Sequence, residues 1–240
     1  MSIKPPDLEW LEGGVPRARG FDDTYFSRAG GLAETRHVFL AGNRLPERAA
    51  GRDRLTIAEF GFGTGLNFLT TLEALNGLEA APGLTFVSFE LHPMTRDQLR
   101  RALKAFPELT SLAEALLDAW SPGAGWNRIP VAGAQLLLGV GDARALIGDL
   151  TVEDTASPPG KIAIAPVDAW YLDGFSPARN PELWEPGLLG AAAGLTAPDG
   201  TLATYTAAGW VRRNLQAAGF TVGKVRGFAG KREMVVGRKA

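Results

Sequence analysis

The sequence predicts an α/β protein built on a mostly parallel sheet, with one antiparallel strand at the sheet edge and an N-terminal extension. Three observations predict it. Apolar runs of strand length alternate with segments whose leucines recur at helical spacing. The first such run passes straight into a glycine-rich turn and then a helix. The alternation ends in two successive strands with no helix between them, which calls for an antiparallel return.

Taken in order, residues 1–50 fit the alternation poorly. Their stretch "FDDTYFSRAGGLAETRHVFLAGN" reads as loops with a small hairpin, and they are expected to pack as an extension on a main domain spanning 51–240. "LTIAEF" (Leu55 to Phe60) is a buried strand; "GFGTG" follows, then a helix on which Leu66, Leu69, Leu72 and Leu75 share one face. "GLTFVSFE" is a second strand, and the segment from Pro93 to Trp120 holds helix broken near Pro107. "AQLLLGVGDARAL" contains a third strand ending near Gly139 to Asp142. "IAIAPVDAWYLDG" reads as a fourth, with Pro166 confining its start to an edge or entry position. "WEPGLLGAAAGL" and "GWVRRNLQAAG" are helical and flank the strand "DGTLATYT"; "FTVGKVRGF" and "REMVVGR" are the closing pair. The stretches "SPGAGWNRIPVAG" and "TVEDTASPPGKIA" read as loops from their proline and glycine content.

Composition removes several functional classes. The 240 residues contain no Cys, so thiolate chemistry and zinc-finger spacings are absent. Two histidines, His37 and His92, are thin material for a metal site or a Ser-His-Asp triad, and no metal is expected. The opening "MSIKPPDLEW" lacks an apolar signal core and no run approaches a membrane span, so the expected location is cytoplasmic. Net charge is -1, but from Ala207 onward eight basic residues face one acid, Glu233, leaving 17 basic and 25 acidic residues before it. Such a split is open to two readings: a polyanion-binding face, or solvated charges spread over the surface.

In an open α/β sheet, ligands bind beyond the carboxyl ends of the strands. Four acids fall there: Glu59, Glu90, Asp142 and Asp173. Gly61, Gly63 and Gly65 allow close backbone approach before a helix N-terminus, but their order departs from the dinucleotide fingerprint, and Glu59 lies two places ahead of the first. A pyrophosphate would be repelled by that carboxylate, whereas a cation is welcomed. No Gly-Lys-Ser/Thr follows the glycines, against an NTPase. S-adenosylmethionine has the required character, with a sulfonium, an amino group and no phosphate. Glu90 is placed to accept from ribose hydroxyls and Asp142 from the adenine amino group. Taken singly, a surface acid and a helix N-cap are the alternative readings of these two. Together the order is the layout of a class I S-adenosylmethionine-dependent methyltransferase, a Rossmann-like fold.

The blocks "GFDDTYFS", "GLAETRHVFLAGN", "AEFGFGTGLNFL", "VSFELHPMTRDQL", "YLDGFSPARNPELW", "GTLATYTAAGWVRRNLQAAGF" and "GFAGKREMVVG" resemble, from about residue 10 to the end, the MnmC amino-terminal (MnmD-type) tRNA methyltransferases. The resemblance implies methylation of the primary amine of 5-aminomethyl-2-thiouridine at the tRNA wobble position, giving the methylaminomethyl form. It implies that Glu59, Gly61, Gly63, Gly65 and Asn67 line the methionine end of the cofactor, with Glu90 at the ribose and Asp142 at the adenine. It also puts Asp173 at the reaction centre, with Phe175 and Pro177 shaping the acceptor pocket and Tyr25 and Phe26 closing over it. Members of that family carry a second, flavin-dependent oxidase domain. These 240 residues hold no second glycine-rich strand-turn-helix, so no FAD site is expected in this chain and the oxidase is a separate or fused partner.

Asp173 need not be the base. An ordinary aspartate near 3.9 is poorly matched to an alkylammonium near 10, so positioning of the amine is expected first and proton transfer second. The basic tail gains a partner in the tRNA anticodon arm, with Lys231, Arg232, Arg212 and Arg213 as the expected phosphate contacts. Phe175, Trp184, Trp210 and Phe228 are available to stack on splayed bases, although the two tryptophans also suit packing. Asn180 suits either substrate contact or a turn cap. The competing readings are a small-molecule amine methyltransferase or aminopropyltransferase on the same fold, and a non-catalytic tRNA-binding module.

Overall fold

The structure, a computed structural model, describes residues 3–153 and 159–239. Three short strands, β1 (Leu8–Trp10), β2 (Pro16–Ala18) and β3 (Asp23–Thr24), form an antiparallel sheet of their own. Helix α1 (Gly31–Thr35) follows and continues as tighter and wider helical turns to Asn43. The main sheet begins with β4 (Arg54–Phe60), followed by α2 (Leu66–Asn76), β5 (Gly83–Glu90), α3 (Arg96–Leu103) and α4 (Thr110–Ala119). Then come β6 (Gly125–Val131), β7 (Ala134–Val140), α5 (Ala143–Leu146), β8 (Leu150–Val152), β9 (Ile162–Ile164) and β10 (Val167–Leu172). The chain closes with α6 (Pro186–Leu195), β11 (Thr196–Thr204), α7 (Gly209–Ala217), β12 (Phe220–Val225) and β13 (Met234–Lys239).

Eight strands make the central sheet, in the order β12-β13-β11-β10-β4-β5-β7-β6. Strands β11, β10, β4, β5 and β7 run parallel, and β13 enters antiparallel between β11 and β12. Strand order therefore reverses between β4 and β10, where the ends of β4, β5 and β10 open onto one crevice. Apolar side chains cover both faces. One core takes Phe68, Leu99 and Leu116 from α2, α3 and α4 together with Val38 and Phe39 of the N-terminal segment. The other takes Leu188 and Leu215 from α6 and α7.

Three sequence expectations differ from the structure. The segment 121–133 is not all loop: β6 pairs antiparallel with β7 at the sheet edge, burying Ile129 and Val131 and exposing Arg128 and Pro130. Its proline is tolerated because an edge strand need not donate on its outer side. The run "IAIAPVDAWYLDG" is two strands rather than one, and Pro166 lies between them. β9 leaves to pair with β8 in a two-stranded parallel sheet, so 151–163 is partly strand; its residues 154–158 lie outside the described ones. The third difference is helix from Gly31 to Asn43, where loops and a hairpin were expected.

That helical segment is stitched to the sheet by buried polar contacts. Asn43, fully buried, donates from Nδ2 to the carbonyls of Phe39 (3.0 Å) and Trp170 (3.3 Å), and its Oδ1 accepts from Thr201 Oγ1 at 2.7 Å. Arg48 donates in turn to Thr201 Oγ1 at 2.5 Å. Asn43→Ala leaves buried partners unsatisfied and is expected to cost about 2 kcal/mol. Urea unfolding with an unchanged m-value would measure it.

Candidate active site

Glu59 sits on the central strand β4, between Tyr171 of β10 and Ser88 of β5, and is fully buried. Ser88 Oγ donates to its Oε2 at 2.8 Å, and Asn67 Nδ2 donates to its Oε1 at 2.8 Å. The same Asn67 Nδ2 donates to Asp173 Oδ2 at 2.8 Å, so one amide group bridges the acids at the ends of β4 and β10. Asn67 Oδ1 accepts from Thr35 Oγ1 at 2.8 Å, which fixes the amide orientation from α1. Burial pushes the Glu59 carboxyl well above its ordinary range, and Asp173 pushes it further; the bonds from Asn67 and Ser88 oppose the shift. Asp173 is likewise raised by burial, to about 7, against the bonds from Gly174 N–H (2.9 Å) and Asn67.

The turn between β4 and α2 lies against the Asp173 loop. A Cβ on Gly61 would stand 3.1 Å from Gly174 Cα and 3.3 Å from the Asp173 carbonyl oxygen. Gly63, with φ of 55°, would place a Cβ 3.0 Å from the Tyr25 ring. Both glycines are therefore required by close approach as well as by backbone conformation. Gly63 N–H donates to Glu90 Oε2 and His92 N–H to Glu90 Oε1, each at 2.8 Å. Glu90 thus anchors the glycine turn with one lone pair per oxygen and keeps others open to the cavity. Burial raises its carboxyl, with those backbone bonds opposing.

Gly61, Gly63, Asn67, Glu90 and Asp173 line one cavity of about 1010 Å³, whereas Glu59 and Gly65, expected at the methionine end of the cofactor, are buried behind its wall. Asp142 also lines it, at the start of α5, but as that helix's N-cap: it accepts from Arg144 N–H at 2.9 Å and pairs with the Arg144 guanidinium at 2.7 Å. The helix-cap reading of Asp142 is the one the geometry displays, and the Arg144 bond holds its carboxyl below the ordinary range.

The loop after Asp173 is clamped by the N-terminal segment. Phe175 stacks on Phe21 at 4.6 Å between centroids and meets Tyr25 edge-on at 5.1 Å. Ser176 N–H donates to Asp23 Oδ2 at 2.9 Å, and Arg179 pairs with Asp22 at 2.8 Å. Pro177 is buried beside it, and Asn180 lines the cavity ahead of the turn Pro181–Trp184. Phe26 differs from Tyr25: its ring is buried edge-on to Phe106 at 4.9 Å, which makes it a packing residue in the cavity wall. Trp184 is buried too, and its Nε1 donates to the Phe175 carbonyl at 3.4 Å, so it supports the loop instead of stacking on a base.

Two participants escaped the sequence reading. Tyr205, just past β11, donates its hydroxyl to the Gly174 carbonyl at 2.8 Å. Glu34, on α1, lines the cavity and pairs with Lys231 at 3.0 Å. Tyr205 follows a strand end, a signal of the same kind that marked the four acids; Glu34 had none, since its helix was read as loop. Lys231 itself therefore stands in the cavity wall, while Arg232 and Arg213 are exposed and Arg212 is partly exposed. Arg232 and Arg212, with Lys224, hold the Glu233 carboxyl below its ordinary range at the cavity edge, the Lys224 bond foremost. Among the described residues, no helix is long and apolar enough to cross a membrane and no group of three His, Asp or Glu could hold a metal ion.

A family model described as S-adenosyl-L-methionine-dependent methyltransferase matches residues 107–240. The chain is 46% identical over 250 residues to the "tRNA 5-methylaminomethyl-2-thiouridine biosynthesis bifunctional protein MnmC" of Aeromonas hydrophila, covering 100% of this chain and 36% of that protein. Against the protein of the same name from Stutzerimonas stutzeri it is 45% identical over 236 residues, covering 96% of this chain and 34% of that one. The chain thus spans about a third of the length of the curated relatives it matches. Among solved structures, MNMC2 from Aquifex aeolicus gives a TM-score of 0.72 at 25% identity, covering 98% of this chain and 71% of that one. With its parallel sheet, glycine turn and strand-end carboxylates, this chain belongs to the S-adenosyl-L-methionine-dependent methyltransferases.

Proposed function

We propose that the enzyme methylates the primary amine of 5-aminomethyl-2-thiouridine at the wobble position of tRNA, giving the 5-methylaminomethyl form. The observation that carries this reading is Asp173: a carboxyl raised to about 7, held by Asn67, at the foot of a wall made by Phe175 and Tyr25. End-to-end similarity to proteins named for that nucleoside supports the substrate, and an FAD-dependent oxidase, fused or separate, is the partner their bifunctional name supports.

The residues present fit S-adenosylmethionine. Asp173, on the cavity wall in front of the buried Glu59, provides negative charge for a cation, the glycine turn admits close backbone approach, and Glu90 lines the cavity as an acceptor for hydroxyl donors. Asp142 lies beside the same cavity, but both its oxygens are taken by Arg144, so it would receive an amino group only by giving up part of that pairing. When bound, the cofactor supplies an electrophilic methyl group.

The chain must present an amine lone pair to that methyl. Asp173 accepts one bond on each oxygen, leaving a lone pair on each to receive an amine N–H and aim the nitrogen. The low basicity expected of an ordinary aspartate is revised: burial brings Asp173 to about 7, which narrows the gap to an alkylammonium near 10 and suits Asp173 Oδ2 or Oδ1 to take the proton. Phe175, fixed by Phe21 and Tyr25, offers a face on which a splayed wobble base stacks, and Pro177 stiffens the backbone beside it. Arg212, Arg213 and Arg232 supply phosphate contacts for the anticodon arm, with Lys231 at the cavity edge. This basic rim is the feature that favours tRNA over a free small amine.

Nucleoside mass spectrometry tests the reading. Purified enzyme and S-adenosylmethionine should convert the aminomethyl nucleoside of tRNA to its methylaminomethyl form; transfer only to free amines would sink it. Asp173→Asn should reduce turnover about 100-fold or more, well beyond any loss of cofactor affinity, because it removes the acceptor for the amine proton. The pH dependence has a definite sign. Asp173 is protonated in the free protein below about 7, and a cation favours its ionised form, so S-adenosylmethionine should bind more tightly as pH rises through 7, releasing a proton. Calorimetry at pH 6.5 in buffers of different ionisation enthalpy should detect that release, and Asp173→Asn should diminish it.

A further inference from the structure

We infer that Glu34 and the face of Tyr205 form an entry subsite for the acceptor ammonium, held in the free protein by the side chain of Lys231. The inference rests on the amine-acceptor reading above.

Lys231 lies on the turn joining β12 to β13, closed by its own N–H donating to the Phe228 carbonyl at 2.9 Å. Its Nζ donates to Glu34 Oε1 at 3.0 Å and stands 4.9 Å from the centroid of the Tyr205 ring. An ammonium so placed has both partners that an alkylammonium seeks, a carboxylate and an aromatic face. Both partners are fixed. The Glu34 side chain is only 16% exposed and sits on α1 next to Thr35, whose hydroxyl holds Asn67. Tyr205 is held by its bond to the Gly174 carbonyl, one residue from Asp173. Lys231 is the replaceable member: its side chain is 50% exposed on a four-carbon stem.

The subsite belongs to the reaction centre electrostatically. Glu34 raises and Lys231 lowers the Asp173 carboxyl, after the larger effects of burial and hydrogen bonding. Asp173 and Glu34 both raise the Tyr205 hydroxyl, with burial foremost. An acceptor arriving as an ammonium exchanges with Lys231 at Glu34, then passes its charge to the Asp173 side of the same wall. The freed Lys231 remains at the cavity edge, where a nucleotide phosphate replaces its lost carboxylate. A neutral hydroxyl acceptor cannot displace the lysine, so Glu34 selects for a cationic group.

Steady-state methylation tests the subsite with two substrates, an anticodon stem-loop bearing the aminomethyl nucleoside and that nucleoside free of phosphate. Glu34→Gln should raise KM for both about tenfold, with a smaller change in kcat and unaltered cofactor binding and melting temperature. The acid limb of the pH profile should also move down, since a carboxylate facing Asp173 is lost. Lys231→Ala should lower KM for the free nucleoside, because its competitor for Glu34 is gone, while raising KM for the stem-loop in low salt. A nucleoside KM unchanged or raised by Lys231→Ala, or insensitive to Glu34→Gln, would overturn the subsite alone. Failure of the wild type to methylate the amine at all would overturn the functional reading and the subsite together.

Discussion

One side-chain amide ties the site together. Asn67 stands in the first turn of α2 and gives its amide hydrogens to Glu59 and Asp173, two carboxyls that would otherwise face each other across a buried gap. Neither acid has a basic side chain as hydrogen-bond partner, so their cost of burial is met by neutral donors and by partial protonation, as their raised values show. The amide can serve both only if its oxygen points elsewhere, and Thr35 takes that oxygen. The threonine comes from α1, so the N-terminal segment decides the orientation of the group at the centre of the sheet. Both clusters of the fold meet there: β4 and β10 supply the acids, α2 the bridge and α1 the lock.

What could be read in advance follows from how far apart in sequence the causes lie. Strand ends are local signals: Glu59, Glu90, Asp142 and Asp173 all fall at or just past the ends of β4, β5, β7 and β10, and all but the buried Glu59 line one cavity. The antiparallel return of β13 was legible because two strands adjoin with no helix between them. The misreadings share a cause: turn-forming residues whose tertiary setting cancels their usual meaning. Pro130 sits on an edge strand, and Pro166 separates strands of two different sheets. In the N-terminal segment, Gly30 and Gly31 broke the helical pattern, and the buried face of Leu32, Val38 and Phe39 takes shape only against α2 and the sheet. Glu34 went unseen with that helix. The bridge itself spans 106 residues from Asn67 to Asp173, a separation over which no residue spacing carries information.

The aromatic wall shows the same division between local and distant causes. Gly174 and Pro177 announce a constrained loop after β10, but constraint alone does not aim a ring. Phe175 is aimed by Phe21 and Tyr25, and its backbone by Asp23, all delivered by the small sheet of β1, β2 and β3. Trp184 and Tyr205 brace the loop from the other side through the carbonyls of Phe175 and Gly174. A loop held from both sides loses less freedom when a ligand docks on it.

Around the site, charge is arranged in two shells of opposite sign in a protein whose net charge is only -1. Lining the cavity are Glu90, Asp173 and Glu34, with Glu59 buried behind; at its edge and beyond lie Lys231, Arg232 and Arg212. A phosphate is attracted to the outer shell and repelled by the inner one. A cationic substituent on a base experiences the reverse. On the proposed reading, depth would sort the two ends of one nucleotide: the phosphates would stay with the arginines, and the amine would be drawn inward past Lys231 toward Asp173. Asp173, raised by burial to about 7, is more fully ionised once a cation enters, so the inward pull strengthens as the site fills.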